Sequence, residues 1–323
     1  MKHANETWYL SRSIRALLAI ALGVAGIHTA VARDAVGLPG EILVKLRTTQ
    51  ALGPLLSKYQ LALMDQFGGR PIFRLEVNGT ASVKDTISSL RLEIDVLLAE
   101  PNVVHSSPEA RRNVVWAIGV PQAYTAQWAP AALRLPEAHR LATGAGVRVA
   151  VLDTGVDRSH PALANSLLPG FDFVDFDNDP SEGSRVGVGF GHGTHVAGLV
   201  AMVAPDAAIM PLRVLDAGGQ GNAWVVAEAL LYAVDPDGNP DTDDGAHVIN
   251  MSLGSHSRTR IFDTVAQLVT CTVPEVIDPA DDLSDPGYDR DEARCSKFGG
   301  AVIIAAAGND ALAATNVIRS VQV

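Results

Sequence analysis

An α/β fold, with a parallel sheet covered by helices on both faces, is predicted for residues 127–323 of this 323-residue chain. Two observations carry that prediction. The apolar runs VRVAVL (147–152), AIMPLRVL (208–215), HVINMSL (247–253) and AVIIAAAG (301–308) are nearly continuous, as strands buried on both faces are. Segments of helical spacing, one starting at His192 and one over 223–234, separate them, which is the pattern of strand and crossover helix. In such a sheet reactive groups collect at the carboxyl ends of the strands. Asp153 follows the first run directly and Asn309 follows the last.

The rhythm before this region is different. EILVKLR (41–47) reads as a strand, 52–67 has helical spacing, PIFRLEV (71–77) alternates, and 83–99 is helical again. Residues 33–112 are therefore expected to form a small α+β module, joined by a linker over 113–126. Residues 1–32 read as an export signal. Lys2, Arg12 and Arg15 supply the positive start, 16–27 the apolar run, and AVA (30–32) a small-residue cleavage site. That run is short for a membrane span, which needs about 20 apolar residues. The expectation is a secreted or periplasmic protein, not an integral membrane protein once the signal is removed.

Composition narrows the function. With 47% hydrophobic and 19% charged residues the chain is an ordinary globular sequence, and its net charge of -11, without a cluster of Lys and Arg, argues against a nucleic-acid partner. The acidity is local, with 14 acidic and four basic residues between Asp235 and Cys295. In an oxidising compartment Cys271 and Cys295 are expected to pair, two free thiols being the alternative.

Two motifs carry chemistry: VAVLDTGVD (149–157) and GHGTHVAG (191–198). A hydroxyl that attacks a peptide carbonyl needs a base, a carboxylate that holds the base in one tautomer, and donors for the oxyanion. His192 suits the first role, Asp153 the second, and Asn309, in AAAGN, the third. The glycines at 191, 193 and 198 suit a tightly packed helix start, where the helix dipole favours a neutral imidazole.

These motifs, in the order Asp, His, Asn, resemble those of the subtilisin-like serine peptidases, the subtilases. The resemblance covers roughly 127–310. It implies a subtilisin-like α/β fold, polypeptide substrates, an acyl-enzyme mechanism, and Asp153, His192 and Asn309 as catalytic residues. It also implies that Gly219, Gln220 and Gly221, with Ser252, Leu253 and Gly254, flank an extended substrate strand. Residues 33–112 resemble the ferredoxin-like inhibitory propeptide of that family, with 99–110 as its closing strand and tail, which makes the chain's own module a partner. A GTSMA-type motif should bear the nucleophile well beyond the asparagine. Only 14 residues follow Asn309, and Ser320 lacks the flanking pattern, so these 323 residues alone are expected to be nearly inert, as a partial or frameshifted gene would encode. The second expectation, from another class, is a non-catalytic peptide-binding or inhibitory protein with a dead cleft.

Weaker signals complete the reading. FVDFDNDP (173–180) and DPDGNPDTDDG (235–245) gather carboxylates as calcium loops do, the first the better candidate, although neither has the EF-hand glycine. No cofactor is expected to take part in the chemistry. His195 is expected to pack on the buried helix, and GVGFG (187–191) to form a flexible approach to His192.

Overall fold

Strict alternation along the first strand divides the N-terminal module into two faces: Ile42, Val44 and Leu46 join one core while Leu43 joins another. The computed structural model describes residues 37–108, 110, 124, 126–183, 186–255, 257–272 and 286–306, all in the compact unit Ala35–Val323. The expected export signal, nearly all of the expected linker, Asn309 and Ser320 lie outside the described residues.

The module runs β1 (Gly37–Leu46), α1 (Leu52–Tyr59), β2 (Leu61–Gln66), β3 (Ile72–Val77), α2 (Val83–Leu90) and β4 (Val96–Ser106). Its strands are antiparallel in the order β2-β3-β1-β4, the ferredoxin-like arrangement. Two expected helices are shorter than their spacing suggests. The segment 52–67 is a helix and then a strand, because Gln60 adopts φ 53°, ψ 51° and closes α1 through its N–H to Leu56 O. LALMDQ then pairs with β3. The segment 83–99 likewise ends as a helix at Leu90 and enters β4 at Val96, so the strand absorbs residues 96–99 of the expected helix. Apolar residues spaced for one helix face also fit a half-buried strand, and pairing across the sheet decides between them.

The second sheet has the order β10-β9-β5-β7-β6 and is parallel throughout. Its strands are β5 (Arg148–Asp153), β6 (Phe171–Asp172), β7 (Ala208–Arg213), β9 (Val248–Met251) and β10 (Val302–Ala305). Two short helices, α3 (Trp128–Ala132) and α4 (Leu135–Ala138), precede it. Alternate residues of β5 serve opposite faces. Val149 and Val151 pack with Ala197 and Ala201 of α5 (His192–Val203). Ala150 and Leu152 face α6 (Ala223–Val234) and α7 (Ile261–Thr270). The doubly covered parallel sheet expected from the continuous apolar runs is thus present.

The module shares the α6–α7 side of this core. Leu43, Phe67, Ile72 and Leu98 belong to the same cluster as Trp224, whose ring meets Phe67 edge-on at 5.5 Å. Strand β4 also completes two helix starts. Glu100 accepts the Arg260 and Ile261 N–H groups at the head of α7, both at 2.9 Å, and Asn102 Oδ1 accepts the Trp224 N–H at the head of α6. First-turn N–H groups have no partner within their own helix, so an acceptor from another segment binds that segment in place.

Helix α8 (Pro286–Phe298) is tied back by a disulfide between Cys271 and Cys295, with Cα atoms 5.6 Å apart. Reducing it opens a loop whose ends are 24 residues apart and is expected to cost about 3 kcal/mol. Thermal unfolding with and without a thiol reductant checks this, and equal midpoints would contradict a stabilising role.

Candidate active site

Strand β5 delivers Asp153 at its last position, and α5 starts with His192, so a strand end and a helix start meet in one place. Both side chains are buried, and His192 Nδ1 lies 2.6 Å from Asp153 Oδ1. The same oxygen accepts the Thr154 N–H at 2.7 Å. With Nδ1 donating to the carboxylate, Nε2 is the nitrogen able to accept a proton. The close approach depends on Gly193. A Cβ there would stand 2.1 Å from Gly155 O and 3.1 Å from Asp153 Cβ, forcing α5 away from β5.

A carboxylate that sequence reading passed over joins these two segments. Glu182 Oε1 accepts the Thr194 N–H and O–H at 3.1 and 2.9 Å. Its Oε2 accepts the Gly191 N–H and the Thr154 O–H, both at 3.2 Å. Burial raises the Glu182 carboxyl above the usual range, against the pull of these hydrogen bonds. The only trace in the sequence is one acidic residue in the Gly- and Ser-containing stretch before the histidine box. The GVGFG stretch is bound in place, since Gly189 N–H donates to Ala217 O at 3.0 Å.

His195 departs from expectation. It lies three residues beyond His192 on the exposed side of α5, because Ala197, Gly198 and Ala201 occupy the buried side.

Of the residues assigned to flank an extended strand, Gly219, Gln220, Gly221 and Gly254 bond to one, and it belongs to this chain. Strand β8 (Gln220–Asn222) pairs antiparallel with the end of β4: Val104 with Asn222, His105 with Gly221, Ser106 with Gln220. Ser107 N–H donates to Gly219 O at 2.9 Å. On the opposite edge Ser106 and Gly254 exchange two N–H···O bonds of 3.0 Å. Leu253 is buried beneath, and Ser252 Oγ accepts from Asn250 Nδ2 at 3.1 Å. His105 is buried against Phe262, with ring centroids 5.0 Å apart.

The two acidic loops differ in what they offer a cation. In the first, Arg213 donates to Asp172 and Asp175, each at 2.5 Å, so those carboxylates already face a positive charge. In the second, Asp235, Asp237 and Asp244 bring one oxygen each within 4.8 Å of one another. Burial, then the Asp237 and Asp235 charges, raises the Asp244 carboxyl. Oxygen donors at this spacing suit a hard cation such as calcium.

An aspartate closing the central strand of a parallel sheet and a histidine opening the helix behind it define the subtilisin-like α/β class. The model of the Subtilase family matches residues 144–320, and the chain belongs to that family. It is 40% identical to thermitase of Thermoactinomyces vulgaris over 138 residues, 40% of this chain and 44% of that protein. It is 31% identical to the thermophilic serine proteinase of Bacillus sp. strain AK1 over 188 residues, 55% of this chain and 43% of that protein. The chain thus spans less than half the length of these curated relatives. The crystal structure of fervidolysin from Fervidobacterium pennivorans, described as a keratinolytic enzyme related to subtilisin, aligns with a TM-score of 0.55. That alignment covers 86% of this chain and 41% of the other at 23% identity, a likeness of fold alone. Among the described residues no helix is long and apolar enough to cross a membrane.

Proposed function

We propose that this chain serves an exported serine endopeptidase whose substrate groove is held by its own N-terminal module. The observation that carries the reading is the buried 2.6 Å contact between Asp153 and His192 at the end of the parallel sheet. In this reading His192 Nε2 takes the proton of a serine hydroxyl as its oxygen attacks the peptide carbonyl. Asp153 holds the imidazole and stabilises its charged form, and the proton then passes to the leaving amine. Asn309 donates to the oxyanion, and water later hydrolyses the acyl-enzyme. The serine that this chemistry needs is not among the described residues.

Residues 219–221 and 252–254 would bind a polypeptide substrate as an added strand, the place taken here by residues 104–107. The module therefore blocks the groove until it is removed. Export by residues 1–32 accounts for the disulfide. Calcium enters this reading as a structural ion at the loop bearing Asp235, Asp237 and Asp244. Thermal unfolding should then shift upward with added calcium, and equal midpoints with calcium and with a chelator dismiss that ion.

The experiment for the main reading is casein hydrolysis by a form of the protein that supplies the nucleophilic serine, before and after limited proteolysis removes residues 37–108. Activity that appears on removal supports it. Absence of hydrolysis in both states, with inhibition of another subtilase by the added module, would favour the non-catalytic inhibitory protein.

A further inference from the structure

We propose that Glu182 is the positioning residue of the Asp153–His192 pair, clamping the turn after β5 to the start of α5 so that the two side chains meet. The proposal rests on the catalytic reading of that pair, but its measurements do not all depend on it.

Glu182 is fixed from both sides. Its backbone runs beside the Asp-box turn, where Val156 N–H donates to Pro180 O at 3.0 Å and Glu182 N–H donates to Val156 O at 3.2 Å. Its side chain reaches the opposite segment and takes the Gly191 and Thr194 N–H groups from the first turn of α5. A helix begun by glycine has no side-chain cap of its own, and Gly191 at φ 85° forms no such bond. Glu182 supplies the acceptors from outside the helix.

The two threonine hydroxyls make the link directional. Thr154 O–H donates to Glu182 and its oxygen accepts the Gly193 N–H at 3.0 Å. Thr194 O–H donates to Glu182 and its oxygen accepts the Asp157 N–H at 2.8 Å. Each hydroxyl has one proton, so giving it to the carboxylate leaves its lone pairs facing those backbone donors. One carboxylate thus orients four donors, two of them the hydroxyl relays that bridge Asp153–Asp157 to Gly191–Thr194. Asp153 and His192 are the residues immediately next to Thr154 and Gly193, so slack in these bridges appears directly in their separation.

The test is Glu182→Gln in the full chain, which keeps the shape but turns an NH2 group towards donors. A hydrogen-bonded imidazole N–H gives a far-downfield proton resonance, here the His192 Nδ1 proton facing Asp153. That signal is expected to move upfield and broaden while the protein stays folded. Where hydrolysis is measurable, kcat is expected to fall about 10²-fold with little change in KM, as for a misplaced catalytic group. Thr194→Val removes one relay without touching the carboxylate, and should give a smaller change in the same direction if the glutamine variant fails to fold. A downfield resonance unchanged in both variants, or absent from the wild-type chain, overturns the proposal. A resonance that responds in a protein with no hydrolytic activity upholds the clamp and defeats the peptidase reading instead.

Discussion

In a form of the protein that supplies the nucleophilic serine, His192→Ala is expected to lower peptide hydrolysis by on the order of 10⁶-fold in kcat with KM nearly unchanged, because the base of the proposed mechanism acts as a unit with its nucleophile. Neither of two nearby imidazoles takes its place. His195 lies on the exposed side of α5, and His105 is buried in β4 against Phe262. Asp153→Asn should cost less, on the order of 10⁴-fold, since an amide facing Nδ1 favours the wrong tautomer but leaves the base in place. The graded pair of losses distinguishes base from orienter. Steady-state kinetics on a peptide substrate measures both, and hydrolysis retained by the alanine variant would falsify the assignment of His192.

The second large effect concerns how firmly the N-terminal module is held. Glu228 of α6 lies where the module's sheet packs, and its Oε2 is buried with no hydrogen-bond partner among the described residues. Burial, then the Asp65 carboxylate of β2, raises its pKa to about 7, while Arg74 of β3 and the Trp224 indole oppose the shift. Asp65 and Arg74 form a 3.6 Å ion pair, and the Arg74 guanidinium lies 5.8 Å from the Trp224 ring. With the module docked, Glu228 keeps its proton up to about pH 7, whereas an exposed glutamate would release it near 4.5. Docking therefore takes up a proton between those values. Its contribution is fully present below about pH 4.5 and is lost as the pH rises through about 7.

Between pH 5 and pH 8 the docking equilibrium should weaken by about 10- to 100-fold. Hydrogen exchange of the β4 amides that pair with β8 and Gly254, corrected for intrinsic rates, reports it in the intact chain. Glu228→Gln should hold the module tightly at both pH values, and Asp65→Asn should move the change to lower pH. Equal protection across that range in the wild-type chain contradicts the prediction. A module released towards neutral pH would give the proposed peptidase a simple trigger for opening its groove.

These two predictions rest on residues that differ in how legible they were. Four of the five strands of the parallel sheet stood out as continuous apolar runs, and their observed limits fall within three residues of those runs, whereas the two-residue β6 gave no such signal. Asp153 and His192 were legible because each is embedded in a contiguous motif whose neighbours meet a local need. Gly193 permits the 2.1 Å approach to Gly155 O, and the Thr154 and Thr194 hydroxyl oxygens accept the Gly193 and Asp157 N–H groups of the facing motif. The module was harder. Its helices end and its strands begin inside segments of unbroken apolar spacing, and only pairing with β3 and β1 shows where one becomes the other.

The sequence by itself determined the class of this protein, from the covered parallel sheet and the ordered Asp and His boxes, since those depend on residues close together in the chain. Only the tertiary structure decided what holds the pair and what fills the groove. Glu182 reaches across to a helix beginning ten positions later, Glu100 caps a helix 160 residues away, and Glu228 meets Asp65 from another sheet. None of these carboxylates belongs to a periodic pattern or a motif. Their roles follow from burial and from unpaired helix N–H groups, and neither exists until distant segments have packed.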